Sequence, residues 1–285
     1  MKKSLLWLVV VLLSVSMITA FSLAGCKKAE EAAPVEEEKK IVLGNIPAAL
    51  SDEWNGYSVE NFKHAASKVG VEVQVLDPAW DGTKALSNLE DLITKKVDGI
   101  GVFVLTPEEA QKFIDIADEA GMPIAFENTK LADKVTGKYL FNVCEDYFGL
   151  GYTAIKYIGE HYPGAKAFHV RGLPGMGIAE VMQAGVDAAV EEFGKVTAPL
   201  NRDTQWDTET AQKAVADVIQ SGEEFDVIFS DNESMAVGVH NALKDAGLAG
   251  KIPIIAANGG PTGIRMIQEG SLEVTCAVPV SIQGL

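Results

Sequence analysis

From residue 41 onward, apolar and polar positions keep switching between two periods. Short apolar runs such as 41–46, and the alternating stretch 71–76, have the period of a strand. Between them, Leu86, Leu89, Leu92 and Ile93 fall on one face of segment 83–95, the spacing of an amphipathic helix. In order, the pattern predicts strand 41–46, helix 54–69, strand 71–76, helix 83–95 and strand 99–105. A helix opened by Pro107 and stopped by Gly121 follows, then strand 123–127. After a polar loop beyond Asn128, a strand over 139–143 closes the first half. The second half repeats the cycle, with strands near 165–170, 195–198, 225–230, 252–257 and 272–278. Its helices fall near 149–161, 178–193, 208–221, 233–246 and 261–268.

Such alternation requires parallel strands joined by helical crossovers, with helices on both faces of each sheet. The expectation is an α/β protein of two doubly wound parallel-sheet lobes, 41–143 and 144–285, with a ligand cleft between them. In such sheets ligands bind beyond the carboxyl ends of the strands. That rule selects Trp54 with Asn55, Thr106, Asn128, the 171–176 loop, Trp206, Asp231 with Asn232, Asn258 and Val278.

The first 40 residues read differently. Met1-Lys2-Lys3 precedes an apolar stretch and then Leu23-Ala24-Gly25-Cys26, the layout of a secretory signal over residues 1–26. The Leu-Ala-Gly-Cys ending resembles the bacterial lipobox, which implies lipidation of Cys26. An uncleaved membrane anchor is the weaker reading, because the apolar run is short and interrupted by Ser14 and Ser16. Residues 27–40, KKAEEAAPVEEEKK, lack apolar periodicity and read as a charged tether, with a short exposed helix as the alternative.

Charge and residue chemistry then narrow the function. A net charge of −16 excludes a nucleic-acid binder, which needs clustered Lys and Arg. His64, His161, His169 and His240 show no metal-ligand spacing, and no Gly-x-Ser-x-Gly elbow supplies a nucleophile. The loop 172–177, GLPGMG, lacks the Lys-Ser/Thr ending of a P-loop and reads as a strand-to-helix turn. No cofactor and no enzymatic activity are expected. Cys144 and Cys276 lie in apolar, strand-like surroundings and are expected as buried free thiols, with a disulfide as the alternative.

Several segments together carry a resemblance: 97–107 (VDGIGVFVLTP), 120–124 (AGMPI), 143–146 (VCED) leading to Gly151, 172–175 (GLPG), Trp206-Asp207, and 230–238 (SDNESMAVG). In this order the chain resembles the ribose- and galactose-type periplasmic binding proteins of bacterial ABC transporters, from residue 41 to its end. The resemblance implies a solute-binding protein that closes on a small ligand and delivers it to a permease. It implies ligand contacts at Trp54, Asn55, Asn128, Trp206, Asn232 and Asn258. Trp54 and Trp206 can instead be packing aromatics, and the asparagines turn or cap residues. The chain departs from the sugar-binding pattern at Asn128-Thr129, where Asp-Arg or Asp-Ser is common, and at Met182, where an Arg is common. Asn258 replaces an Asp and Val278 a Gln. A cleft of indoles and amides suits a neutral sugar, a modified sugar, a polyol or a nucleoside. A receptor presenting its ligand to a membrane sensor would use the same cleft. The family continues past the strand matched by 272–278 with a helix and a strand returning to the first lobe, so the resemblance implies that the sequence stops before that return.

Overall fold

The computed structural model describes residues 39–278. The expected signal segment, the lipidation site Cys26 and nearly all of the tether lie outside the described residues. No described helix is long and apolar enough to cross a membrane.

The first sheet is built from β1 (Val42–Ile46), β2 (Glu72–Val75), β3 (Gly99–Val102), β4 (Ile124–Glu127) and β5 (Asn142–Val143), in the order β2-β1-β3-β4-β5. Every neighbouring pair is parallel, with Leu43 opposite Val73 on one side and Gly99 on the other. The second sheet is built from β6 (Lys166–Arg171), β7 (Thr197–Asp203), β8 (Val227–Ser230), β9 (Ile254–Asn258) and β10 (Val274–Ala277), in the order β10-β9-β8-β6-β7. It too is wholly parallel. The two orders are the same when read from β7, so the lobes share one topology. Each has a switch point beside its first strand, between β1 and β3 and between β6 and β8.

The crossovers are α1 (Glu53–Lys68), α2 (Gly82–Thr94), α3 (Ala110–Ala120), α4 (Tyr147–His161), α5 (Ile178–Phe193), α6 (Thr208–Ser221), α7 (Glu233–Asp245) and α8 (Pro261–Gln268). Asp52, Asp81, Asp146, Asp207 and Asn232 each cap a helix by accepting a backbone N–H of its first turn. Because the strands are parallel, these capped N-termini all follow strand carboxyl ends. α3 begins later than Pro107, since Thr106 and Glu109 form a reciprocal cap: the Thr106 Oγ1 accepts from Glu109 N, and Thr106 N donates to Glu109 Oε2, both at 3.3 Å.

Three apolar cores result. Leu89, Leu92, Phe113 and Phe126 fill the first lobe, and Phe168, Val215, Ile228 and Val239 fill one face of the second. The third core, around Ile155, Val186, Phe229 and Ile255, also takes in Ala48 and Phe103 of the first lobe. The lobes therefore meet through apolar contact beside the cleft.

Three expectations are corrected. β7 runs through Asp203 rather than stopping near 198, because it is the edge strand: its residues alternate exposed and half-buried, and edge position admits Pro199 and the polar run after Leu200. β5 is only Asn142–Val143, although Leu140 N still donates to Ile124 O and Phe126 N to Phe141 O. Cys144 is exposed and Cys276 half-buried, and both are free thiols. Each lies at the edge of its sheet, where no other described strand covers one side.

α4 and α5 cross at glycines. A Cβ on Gly185 would fall 2.1 Å from the Phe148 carbonyl oxygen, and one on Gly151 2.1 Å from the Met182 carbonyl oxygen. Backbone cannot yield as a flexible side chain does, so Gly185→Ala is expected to lower stability by about 1–3 kcal/mol in urea unfolding. A change within about 0.5 kcal/mol would show that the helices part at little cost.

Candidate functional site

The carboxyl ends of the two sheets face a common, half-open cavity of about 50 Å³. It is lined by Asp52, Trp54, Asn55, Trp80 and Phe103 from the loops after β1, β2 and β3, and by Asn128 after β4. From the other side come Tyr147 and Leu150 of α4, Met176, Ile178, Met182, Trp206, Asp231, Asn232 and Asn258. All six residues named from the sequence, Trp54, Asn55, Asn128, Trp206, Asn232 and Asn258, thus line one cavity. A second chamber of about 290 Å³ adjoins it, sharing Trp54 and Asn258.

On the first-lobe side, Asn55 is spent on local structure. Its Oδ1 accepts from Ala48 N at 3.4 Å and its Nδ2 donates to Asp52 Oδ1 at 2.8 Å, tying α1 to the loop that precedes it. Burial raises the Asp52 carboxyl pKa, partly offset by hydrogen bonds from Asn55. Trp54 meets Phe103 edge to face, with centroids 6.3 Å apart. Trp80 donates its backbone N–H to Ala48 O at 2.9 Å from a left-handed backbone, φ 65°, after Ala79 at 56°.

On the second-lobe side, a buried polar chain supports the wall. Asp231 Oδ2 accepts from Gly172 N at 2.9 Å, and its Oδ1 meets His169 Nε2 at 2.5 Å. Gln183 donates its Nε2 to Asp187, which turns its Oε1 toward His169 Nδ1 at 2.8 Å. Both ring nitrogens of His169 thus have oxygen partners within the protein, Asp231 Oδ1 and Gln183 Oε1. The Trp206 indole, from the turn after β7, packs against Gly172 of the loop thus fixed: a Cβ there would lie 2.1 Å from the ring. The Trp206 Nε1 donates to Met176 Sδ at 3.3 Å. Asn232 gives its Oδ1 to Met235 N as the α7 cap, at 2.8 Å, leaving Nδ2 for the cavity.

The remaining expected residues separate. Thr106 is engaged in the α3 cap and lies outside the cavity. Val278 lines the second chamber and donates its N–H to Asn258 O at 2.9 Å. Thr129, next to Asn128, donates its hydroxyl to Val104 O at 2.7 Å and points back into the sheet. Met182, only 1 % exposed, lines the cavity as an apolar group.

Trp80, which the strand-end rule above does not select, also lines the cavity. A signal for it was present: Trp80-Asp81 and Trp206-Asp207 are one dipeptide repeated after the second strand of each lobe. Both tryptophans have left-handed backbone, and both precede an Asp that caps the next helix. Asn128 and Asn258 form a second matched pair, at the ends of β4 and β9, with φ of 67° and 108°. Tyr147 was missed because the chain passes it while changing lobes, where no strand-end rule applies.

Among the described lining residues the charged groups are Asp52 and Asp231, with no Lys or Arg. Acidity continues into the second chamber. Glu233 is 3 % exposed, and its Oε1 accepts from Gly259 N at 2.6 Å, Gly260 N at 3.2 Å and Thr275 Oγ1 at 2.6 Å. Burial pushes its carboxyl up to about 7; those hydrogen bonds oppose the shift, and Glu53 of the first lobe adds to it.

The chain belongs to the periplasmic binding protein domain family, which matches residues 43–284. It is 22 % identical over 277 residues to the ribose import binding protein of Bacillus subtilis (strain 168), covering 97 % of this chain and 88 % of that one. Among solved structures, it is similar to an ABC transporter periplasmic solute-binding protein from Actinobacillus succinogenes 130z with bound D-allose. The TM-score there is 0.79, with 24 % identity over 86 % of this chain and 87 % of that one. A solute-binding protein from Bacillus halodurans C-125 with bound myo-inositol also has a TM-score of 0.79, at 22 % identity over 86 % and 85 % of the two chains. At these identities the likeness to solved structures is one of fold.

The raised Glu233 value has a definite sign in stability. The folded protein holds this proton where the unfolded chain has lost it, so stability falls as pH rises from 4.5 to about 7. Glu233→Gln keeps the acceptor oxygen but removes the titration. Its melting temperature should decline less steeply than wild type across that interval, and identical slopes would contradict a buried, raised Glu233.

Proposed function

We propose that this member of the periplasmic binding protein family is an exported solute-binding protein of an ABC importer, taking a small neutral sugar or sugar-like ligand. The observation that carries the reading is the convergence of both sheets' carboxyl ends on one cavity walled by Trp54, Trp80 and Trp206 and edged by four asparagines. Indoles cover the C–H faces of a sugar or cyclitol ring, and amides serve hydroxyls that both donate and accept. Both carboxylates already have partners within the protein, and the described lining residues include no Lys or Arg, so a neutral ligand leaves the least charge uncompensated. Relatives named for ribose import, and structural neighbours holding D-allose and myo-inositol, support the same class.

In this reading residues 41–143 and 144–285 act as the two lobes. The ligand settles in the open cleft and the lobes close about the crossing near Val143, bringing Trp54 and Trp206 together. Residues 1–26 serve as the signal, Cys26 as the lipidated residue and 27–40 as the tether, holding the protein beside its permease at the outer face of a membrane. Binding and release complete the cycle without covalent chemistry.

Thermal melts against D-ribose, D-allose, myo-inositol, a nucleoside and an amino acid test the ligand class. A ligand at a hundred times its Kd stabilises the fold by about 2.7 kcal/mol, so one sugar or cyclitol should raise the melting temperature by several degrees. Trp206→Ala should abolish that rise, and a response to the amino acid alone would overturn the sugar reading. Labelled palmitate should appear on the wild-type protein in an expressing bacterium and be lost in Cys26→Ser; labelling retained in the variant would refute the anchor.

A further inference from the structure

Tyr147 lies where the chain passes from the first lobe to the second, with its hydroxyl between two partners. One is Asn128 Oδ1, in a short contact, and the other is Glu145 Oε2 at 2.9 Å. A phenol has a single proton and can donate to only one of them. When Glu145 is ionised, the carboxylate takes that proton, because the charge-assisted bond is the stronger. The phenol oxygen then faces Asn128 as an acceptor. The Asn128 amide meets it by turning Nδ2 toward Tyr147 and Oδ1 toward the cavity. When Glu145 is protonated, it donates to the phenol oxygen instead. Tyr147 then donates to Asn128 Oδ1, and Nδ2 faces the cavity. The Tyr147 hydroxyl lies within reach of both Asn128 Oδ1 and Glu145 Oε2, so the arrangement admits either polarity.

We propose that Glu145, acting through the Tyr147 hydroxyl, is a positioning residue that sets which end of the Asn128 amide meets the ligand. A protonated Glu145 makes Asn128 a donor and favours ligands with acceptor groups at that edge. An ionised Glu145 makes it an acceptor and favours hydroxyl donors. Asn232, across the cavity, has no such freedom, because Met235 N holds its Oδ1. One amide of fixed polarity therefore faces one of variable polarity.

The surroundings allow Glu145 to change state near neutrality. Burial, and then the charge of Glu127 on β4, raise its carboxyl to about 7 against the opposing hydrogen bond from Tyr147. Glu127 is itself raised by burial and is bonded to Asn45 Nδ2 of β1 at 3.2 Å. Cys144 and Asp146 flank Glu145 on its own segment, and Lys130, Glu108 and Asp133 line the same hollow. Tyr147 itself stays protonated, since burial and Glu145 hold its phenol well above the ordinary value.

The proposal rests on the cavity being the ligand site, and its test separates the two. Side-chain amide signals of Asn128 in ¹H–¹⁵N spectra of the purified protein, assigned through Asn128→Asp, report the relay without any ligand. They should move with a midpoint of about 7 and stay still in Glu145→Gln and Tyr147→Phe. Signals that do not move between about pH 5 and about pH 9, or that move unchanged in Glu145→Gln, would overturn the relay. Calorimetry with D-ribose and myo-inositol supplies the second readout. For a bound sugar, the affinity should change by about tenfold across that interval in wild type and stay level in Glu145→Gln. A titrating amide beside pH-independent affinity would overturn the link to ligand choice. A titrating amide with no binding of either sugar at any pH would leave the relay standing and count against the ligand class proposed above. Sugar binding with a motionless amide would do the reverse.

Discussion

Parallel pairing is the constraint on which the rest of the molecule depends. Helical crossovers, and a loop between β4 and β5, bring each strand back parallel to its neighbours, so the described strands deliver their carboxyl ends to one side of their sheet. The helix N-termini collect there as well, capped by Asp52, Asp81, Asp146, Asp207 and Asn232. Polar caps, loop tryptophans and strand-end asparagines are brought together by topology before any pairwise contact is considered. The apolar layers beneath them, built on Phe126, Phe168 and Phe229, hold the sheets rigid enough for that edge to keep its shape.

The two lobes are variations on one plan, and the plan explains the strained residues. A tryptophan at positive φ costs about 1 kcal/mol or more, and a fold keeps such a residue only where its surroundings over-determine it. Here the same strain occurs twice, at Trp80 and Trp206, after the second strand of each lobe. Each turn aims an indole at the cleft and releases the next residue, an Asp, to cap a helix. Asn128 and Asn258 repeat the logic after the fourth strand, where an asparagine tolerates a positive φ better than most residues.

Acidity gives the closed arrangement its tension. Asp231 is hydrogen-bonded to His169 and to Gly172 N, while Glu127, Glu145 and Glu233 are carboxyls whose pKa values burial has raised. Glu233 feels Glu53 of the first lobe and Glu145 feels Glu127 near the lobe crossing, so each like charge adds to the rise that burial causes.

The alternation of periods, read from residue 41 onward, determined the two-lobe α/β architecture, the order of its elements and, through the strand-end rule, the six cavity residues Trp54, Asn55, Asn128, Trp206, Asn232 and Asn258. These features are local: a strand, a cap or a turn is encoded within a few residues, and parallel topology converts sequence position into spatial position. What an edge does was decided elsewhere. β7 extends through Pro199 and a polar run because its outer side needs no partner, and Cys144 is exposed because β5 ends a sheet. The commitment of the Asn55 and Thr106 side chains to local bonds, the apolar role of Met182 and the meeting of Tyr147 with Asn128 and Glu145 likewise depend on neighbours distant along the chain or on the exact path of a loop. Hydrogen-bond polarity and carboxyl burial are properties of such surroundings, so the tertiary structure alone could set them.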